Sequence, residues 1–223
     1  MRSMAKKPQL PKTREELDGR EVAGLWRAIG LTKEIAESAE RITLSTIQRI
    51  HRTIFEQSEP HVAGRFRVPG EDVEKLKHIQ PPPGSKVQER IYAFWQDFDG
   101  RISVLPTRCK NPKSRTSYKK WFAQVLDLAV WTQHAFVAVH PFPEGNGRMA
   151  RLLTNLVLER YGIKPSQVKY EGEMKGRYLE ALGQADRFAD YEPLKKLVLQ
   201  DINIAYQKEK KMRARLMASK RSR

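Results

Sequence analysis

Cysteine is almost missing from this chain. Cys109 is the only one among 223 residues, so no disulfide can close within it and no cysteine-based metal site can be built from it. That usage suits a reducing compartment. Long apolar runs are missing too: no stretch approaches 18 consecutive apolar residues, and Arg2, Lys6 and Lys7 are not followed by the apolar segment of a secretory signal. These absences lead to the expectation of a cytoplasmic protein with no membrane partner, delivery into another cell being the alternative. Acidic side chains are short in number, 26 against 42 Lys and Arg, for a formal charge of +16 and an isoelectric point near 10. Such an excess repels itself and attracts acidic partners, with nucleic acid, acidic proteins and ATP all qualifying. What is present in ordinary amounts, 39% hydrophobic and 30% charged residues, places the chain among folded globular proteins of one domain with short appendages.

Periodicity points to an all-α fold. Residues 1–12 read as a loose leader. Thr13 and Glu16 have capping-box spacing ahead of Leu17, Val22, Leu25, Ala28 and Ile29, with Gly30 as a stop. Ile47, Ile50, Ile54 and Phe55 share one face of a helix over 44–57 capped by Thr43. His51 beside that face reads as a structural residue, because no carboxylate or second histidine stands at ligand spacing. From Pro60 to Pro83 the chain turns or extends, and a third helix is expected over 86–97. The stretch Arg101–Lys120 holds seven Lys or Arg and no acid. Trp121–Val139 is apolar on nearly every side, which predicts a central buried helix that delivers His140 at its end. Met149, Leu152, Leu153 and Leu156 restart a helix that Gly162 is placed to cap. Helices over 173–185 and 191–206 lead into a tail with eight Lys or Arg against one Glu.

Residues 140–151 read His-Pro-Phe-Pro-Glu-Gly-Asn-Gly-Arg-Met-Ala-Arg. Gly145 and Gly147 leave backbone N–H groups open at a helix N-terminus, which favours an anion such as phosphate. Arg148 and Arg151, three apart, share a face and suit a ligand with several phosphates. Glu144 is out of place beside an anion unless a divalent cation lies between them, and Mg²⁺ takes one or two carboxylates together with phosphate oxygens. His140 at the rim titrates near neutrality and can take a proton from an attacking hydroxyl.

This run resembles the signature of the Fic family, His-x-Phe-x-(Asp/Glu)-Gly-Asn-Gly-Arg-x-x-Arg, at every fixed position. The resemblance implies a Fic-type helical domain with a small β-hairpin flap, which transfers AMP from ATP to a Ser, Thr or Tyr hydroxyl of a protein. It implies His140 as general base, Phe142 as the loop's anchor in the core, Glu144 as the Mg²⁺ ligand, Asn146 with the glycine N–H groups on the α-phosphate, and Arg148 and Arg151 on the outer phosphates. Gly64-Arg65-Phe66-Arg67 and Pro81-Pro82-Pro83 stand where relatives bracket their flap. The target-docking residues would be Val68, Pro69, Gly70, Val73, Leu76, Lys77 and His78. Tyr178, with Ala181 and Leu182, looks like the helix bordering the adenine. The expected organisation is an N-terminal leader and helical region over 1–42, a Fic domain over 43–205 and a basic tail over 206–223.

Many members carry an inhibitory (Ser/Thr)-x-x-x-Glu-(Gly/Asn) helix whose glutamate pairs with the second motif arginine. No intact copy is found: Arg14 and Asp18-Gly19 depart from it twice, and in Gln167 to Glu171-Gly172 Gln replaces Ser/Thr. The expectation is activity without relief by mutation, with a separate antitoxin-like chain, of the kind that restrains a toxin, as the other possible control. The alternatives are transfer of UMP, phosphate or phosphocholine by the same loop, and a basic nucleic-acid-binding module.

Overall fold

The computed structural model describes residues 10–38, 40–74, 76, 79–165 and 172–221, with side chains through residue 215 and at 217. Among them are seven α-helices: α1 (Arg14–Glu37), α2 (Leu44–Phe55), α3 (Val87–Val104), α4 (Arg115–Val139), α5 (Asn146–Arg160), α6 (Gly172–Phe188) and α7 (Glu192–Arg221). The all-α architecture expected from sequence is present, built around α4, which packs against α3, α5, α6 and α7. Its length and apolarity would suit a bilayer, yet Val125, Ala129, Val130 and Phe136 are buried on several sides by those helices. It is a core helix.

Local chemistry explains the boundaries. The Thr13 hydroxyl accepts from the Glu16 N–H to start α1, and Thr43 and Thr46 form a reciprocal capping box at the start of α2. α5 ends at Gly162, whose φ of 71° lies in the left-handed region, and Ile163 N–H reaches back to the Leu158 carbonyl. Gly30 does not stop α1, because Thr32, Ile35 and Ala36 beyond it are buried; packing outweighs the ~1 kcal/mol cost of a helical glycine. Residues 13–37 thus form a helix that packs on α2 and α5. Gly24 makes that packing possible, since a Cβ there would stand 2.0 Å from the Ile54 carbonyl oxygen.

The flap is slighter than a hairpin. No strand is formed among the described residues; one antiparallel bridge joins Leu76 and Ile79, with N–H to carbonyl distances of 2.9 and 2.8 Å. Val68, Pro69, Gly70 and Val73 lie in irregular chain, while Lys77 and His78 fall outside the described residues. Pro81, Pro82 and Pro83 have no N–H to donate, so a ladder cannot extend along that side. At the C-terminal end, α7 runs without a break across residue 206.

Candidate active site

His140 ends α4 in the left-handed conformation, φ 48° and ψ 56°, with its N–H still bonded to the Phe136 carbonyl. A non-glycine residue rarely adopts this conformation, and it is held here by contacts from both sides. Arg67 is the main one. Buried to 1% exposure, it donates from Nε to the His140 carbonyl at 2.8 Å, and from its two terminal nitrogens to the carbonyls of Glu71 at 2.7 Å and Pro82 at 3.0 Å. Its backbone N–H bonds the Pro141 carbonyl at 2.8 Å. One guanidinium therefore joins the end of α4, the flap base and the proline run. Burial lowers its pKa, opposed by Asp72 and Glu71.

The flap base is braced further. Arg65 grips Glu71 through two parallel bonds of 2.8 and 2.7 Å, and the same carboxylate accepts from the Val68 N–H. These bonds hold the Glu71 carboxyl down to about 2. Asp72 accepts from the Gly84 N–H at 2.7 Å.

The loop between α4 and α5 is clamped by Asn146. Its side chain accepts from the Phe142 N–H at 2.9 Å and donates to the Phe142 carbonyl at 2.7 Å. The buried amide thus closes the loop on itself, which differs from the expectation of a phosphate contact; its backbone N–H is what it can offer there. Phe142 is buried, stacked on the His51 ring at 3.7 Å between centroids. Gly145 has φ 78°, and a Cβ on it would meet the Phe55 ring at 2.5 Å, so glycine is required on both counts.

His51 links three elements. Its Nδ1 accepts from the Gly64 N–H at 2.9 Å, which leaves Nε2–H to donate to the Glu144 carbonyl at 3.0 Å. It is structural, as its sequence context suggests, but what it supports is the motif loop. Burial, and secondarily Arg148, outweigh the Glu144 carbonyl and bring its pKa down to about 4. The unfolded chain then takes up this proton first, near pH 6.5. Stability is accordingly full above that pH and is lost as pH falls toward 4, by about 3 kcal/mol from this group. Urea unfolding at pH 7 and pH 4.5 should show the loss, and His51→Gln should show a smaller one.

The charged residues of the motif sit around the N-terminus of α5. Glu144 is largely exposed and its carboxylate accepts from the Gly145 N–H at 2.9 Å. Arg148 lies over the Phe55 ring at 4.7 Å, reaches Glu144 at 3.4 Å and pairs with Glu21 of α1. Arg151 folds back over Gly147, with a guanidinium nitrogen 3.6 Å from where a Cβ there would stand; it has no carboxylate partner among the described residues. A hollow of about 220 Å³ lies between α1 and α5, walled by Asp18, Glu21, Val22, Leu25 and Arg148. Tyr178 is in the core, its hydroxyl accepting from Gln133 at 3.3 Å, and burial pushes it up to about 12. It stands within electrostatic reach of Arg151 and is buried rather than set on an open wall.

His140 itself has a lowered pKa. Burial is the main cause, with a smaller push from Arg67, and the Val137 carbonyl and Glu144 oppose it. Nδ1 is buried with no well-formed hydrogen bond among the described residues. The ring is therefore neutral at pH 7.

A family model described as Fic/DOC family matches residues 41–158. The chain belongs to this family. A protein named Protein adenylyltransferase Fic from Nematostella vectensis is 30% identical over 183 residues, which cover 82% of this chain and 38% of that relative. Fic-1 from C. elegans superposes with a TM-score of 0.66 at 23% identity, over 95% of this chain and 54% of that one. BepC, a VirB-translocated effector of Bartonella tribocorum solved with bound AMPPNP, superposes with a TM-score of 0.52 at 16% identity, over 86% of this chain and 88% of that one. These two likenesses are of fold. The chain spans about two fifths or less of the length of the curated relatives it matches.

Of the two residues considered for the inhibitory role, Asp18 pairs with Arg14 at 3.1 Å and not with a motif arginine, while Glu171 lies outside the described residues. Glu21, which does pair with one, was not singled out from sequence, nor was the part Arg67 plays. Glu21 falls three residues beyond Asp18 of the imperfect inhibitory pattern, and only the crossing of α1 over α5 brings it to Arg148.

Proposed function

We propose that this Fic domain transfers AMP from ATP to a Ser, Thr or Tyr hydroxyl of a protein. One observation carries the reading: a neutral histidine held by the backbone at the end of α4 stands one short loop from a helix N-terminus flanked by two arginines. The relatives named protein adenylyltransferase and the AMPPNP-bound neighbour support the choice of nucleotide. With the proton on Nδ1, the Nε2 lone pair is free to accept the proton of the attacking hydroxyl. The hydroxyl oxygen forms a bond to the α-phosphorus, the bond from that phosphorus to the β-bridging oxygen breaks, and pyrophosphate leaves. Arg148, Arg151 and the N-terminus of α5 stabilise the charge on the departing phosphates.

Mg²⁺ suits the chemistry proposed here: Glu144 is an exposed carboxylate beside the N-terminus of α5, able to give one protein oxygen to an ion whose other ligands are phosphates and water. This is the pattern of an ion held mainly by phosphate oxygens. Glu144 would hold it, and the ion when bound would neutralise phosphate charge.

Incubation with each labelled nucleoside triphosphate, a cell lysate and the protein, followed by mass spectrometry, tests the reading. AMP on a hydroxyl side chain is expected; UMP, phosphate or no adduct would overturn it. The Glu21 contact leads to a further expectation. Arg148 is partly neutralised by a half-buried carboxylate that a phosphate must displace. Glu21→Ala should therefore raise self-modification roughly tenfold, equivalent to about 1.4 kcal/mol, whereas Asp18→Gly should change it less than about threefold, as for an exposed pair. Equal rates in wild type and Glu21→Ala would show that the contact does not oppose phosphate.

A further inference from the structure

The two basic stretches of the sequence meet at one end of the molecule. α7 runs antiparallel to α4: near its start Lys195 bonds Asp127 at 2.7 Å, and further on Tyr206 lies close enough to Tyr118 to help raise its pKa. Beyond Tyr206, α7 continues past that contact, and apart from partly covered Glu209 every residue whose side chain is described there is exposed. Glu209 is the only acid in this half of α7, and it is neutralised by Lys164 at 2.7 Å and Arg213 at 2.6 Å. Lys208, Lys211 and Arg215 have the spacing of one helical face. No ion pair of theirs, nor of Lys113 in the α3–α4 loop or Lys119 and Lys120 in the first turns of α4, is formed among the described residues. The N-terminal dipole of α4 adds to the positive field.

This face is distinct from the active site. It lies at the start of α4 and His140 at the end, about 36 Å apart for a helix of this length. Its charge is therefore no extension of the ATP site. Two tyrosines stand within it, Tyr118 41% and Tyr206 43% exposed, the Tyr118 ring lying beside those of Trp121 and Phe122. Exposed aromatic faces among unpaired cations are what single-stranded nucleic acid uses, the cations tracking phosphates and the rings stacking on bases. A membrane surface would need an apolar face, and the exposed Met212 and Met217, five apart, lie on different sides of α7. An acidic protein would make no use of the part-exposed rings.

We propose that this end of the protein, formed by the α3–α4 loop, the first turns of α4 and the exposed half of α7, binds single-stranded nucleic acid. Fluorescence anisotropy with labelled oligouridylate of about 20 nucleotides tests it. Binding should weaken steeply between about 50 and 200 mM salt. Lys211→Glu/Arg215→Glu and Lys119→Glu/Lys120→Glu should each weaken it roughly tenfold or more, with unchanged circular dichroism and with self-modification within about twofold of wild type. Tyr118→Ala should weaken the single strand several-fold and leave duplex binding unchanged. The proposal is overturned by absent binding at near-physiological salt, by equal affinity for polyglutamate or phosphatidylserine vesicles, or by insensitivity to both charge reversals. Because self-modification is read separately, its failure alone would count against the proposed transferase and not against this face.

Discussion

Replacing His140 with alanine is expected to lower AMP transfer roughly 10³-fold while leaving ATP affinity within about threefold, because a positioned base contributes 10²–10⁴-fold and does not grip phosphate. The structure sharpens this in two ways. The ring is neutral at pH 7, since burial lowers its pKa, so the base form is present without any drop in acidity elsewhere. The rate should then hold level as pH falls from 8 and decline only below the ordinary imidazole value of about 6.5. Alanine in the left-handed conformation costs about 1–2 kcal/mol, and that strain could lower the rate by moving the loop. His140→Asn separates the causes, because asparagine tolerates this conformation. Loss of transfer in both variants, with ATP binding retained, identifies the missing base. A rate within tenfold of wild type in either would show that another group takes the proton.

Arg67→Met carries the second large effect. Methionine nearly matches the apolar stem but leaves the carbonyls of His140, Glu71 and Pro82 without the donors they now have. Each unsatisfied buried acceptor costs about 1–3 kcal/mol, reduced where water can enter. A total of about 4 kcal/mol would lower the melting temperature by roughly 10 °C in a chain of this size. Transfer should fall further than stability accounts for, since the His140 carbonyl loses its hold and the ring its orientation; a 1 Å misplacement can cost roughly 10²-fold. Calorimetry gives the first number and self-modification below the transition gives the second. Arg67→Lys, which can satisfy only some of these acceptors, should lie between. A melting temperature unchanged in Arg67→Met would mean that the carbonyls find water instead.

How much of this could be read in the residues depends on whether the deciding contact is local. The starts of α1 and α2 were legible, because Thr13 and Thr43 act on N–H groups three residues away, whereas α4 begins at Arg115, six residues before the apolar run that predicted it. So was the central place of α4, which follows from apolar residues on all its sides. The 140–151 loop suggests a chemistry because glycines at a helix start, two arginines, a carboxylate and a titratable ring fall within a few residues of one another. The end of α1 was not legible: Gly30 is a local stop signal, and the burial of Ile35 that overrides it is a tertiary fact. The same holds for Glu21, His51 and Arg67, whose partners lie far along the chain. Asn146 shows a different limit. Its place in the motif suggested a ligand contact, whereas its amide is occupied in closing the loop around Phe142.

Because α4 runs unbroken from Arg115 to Val139 and ends on His140, its length is under tight restraint. Inserting one residue anywhere within it would advance the histidine by about 1.5 Å and turn it by about 100°, away from Arg67 and from the loop it serves. Deletions would do the same in the opposite sense. Variation in chain length among related proteins should therefore collect in the segment before Arg115 and be nearly absent from the twenty-five residues that follow.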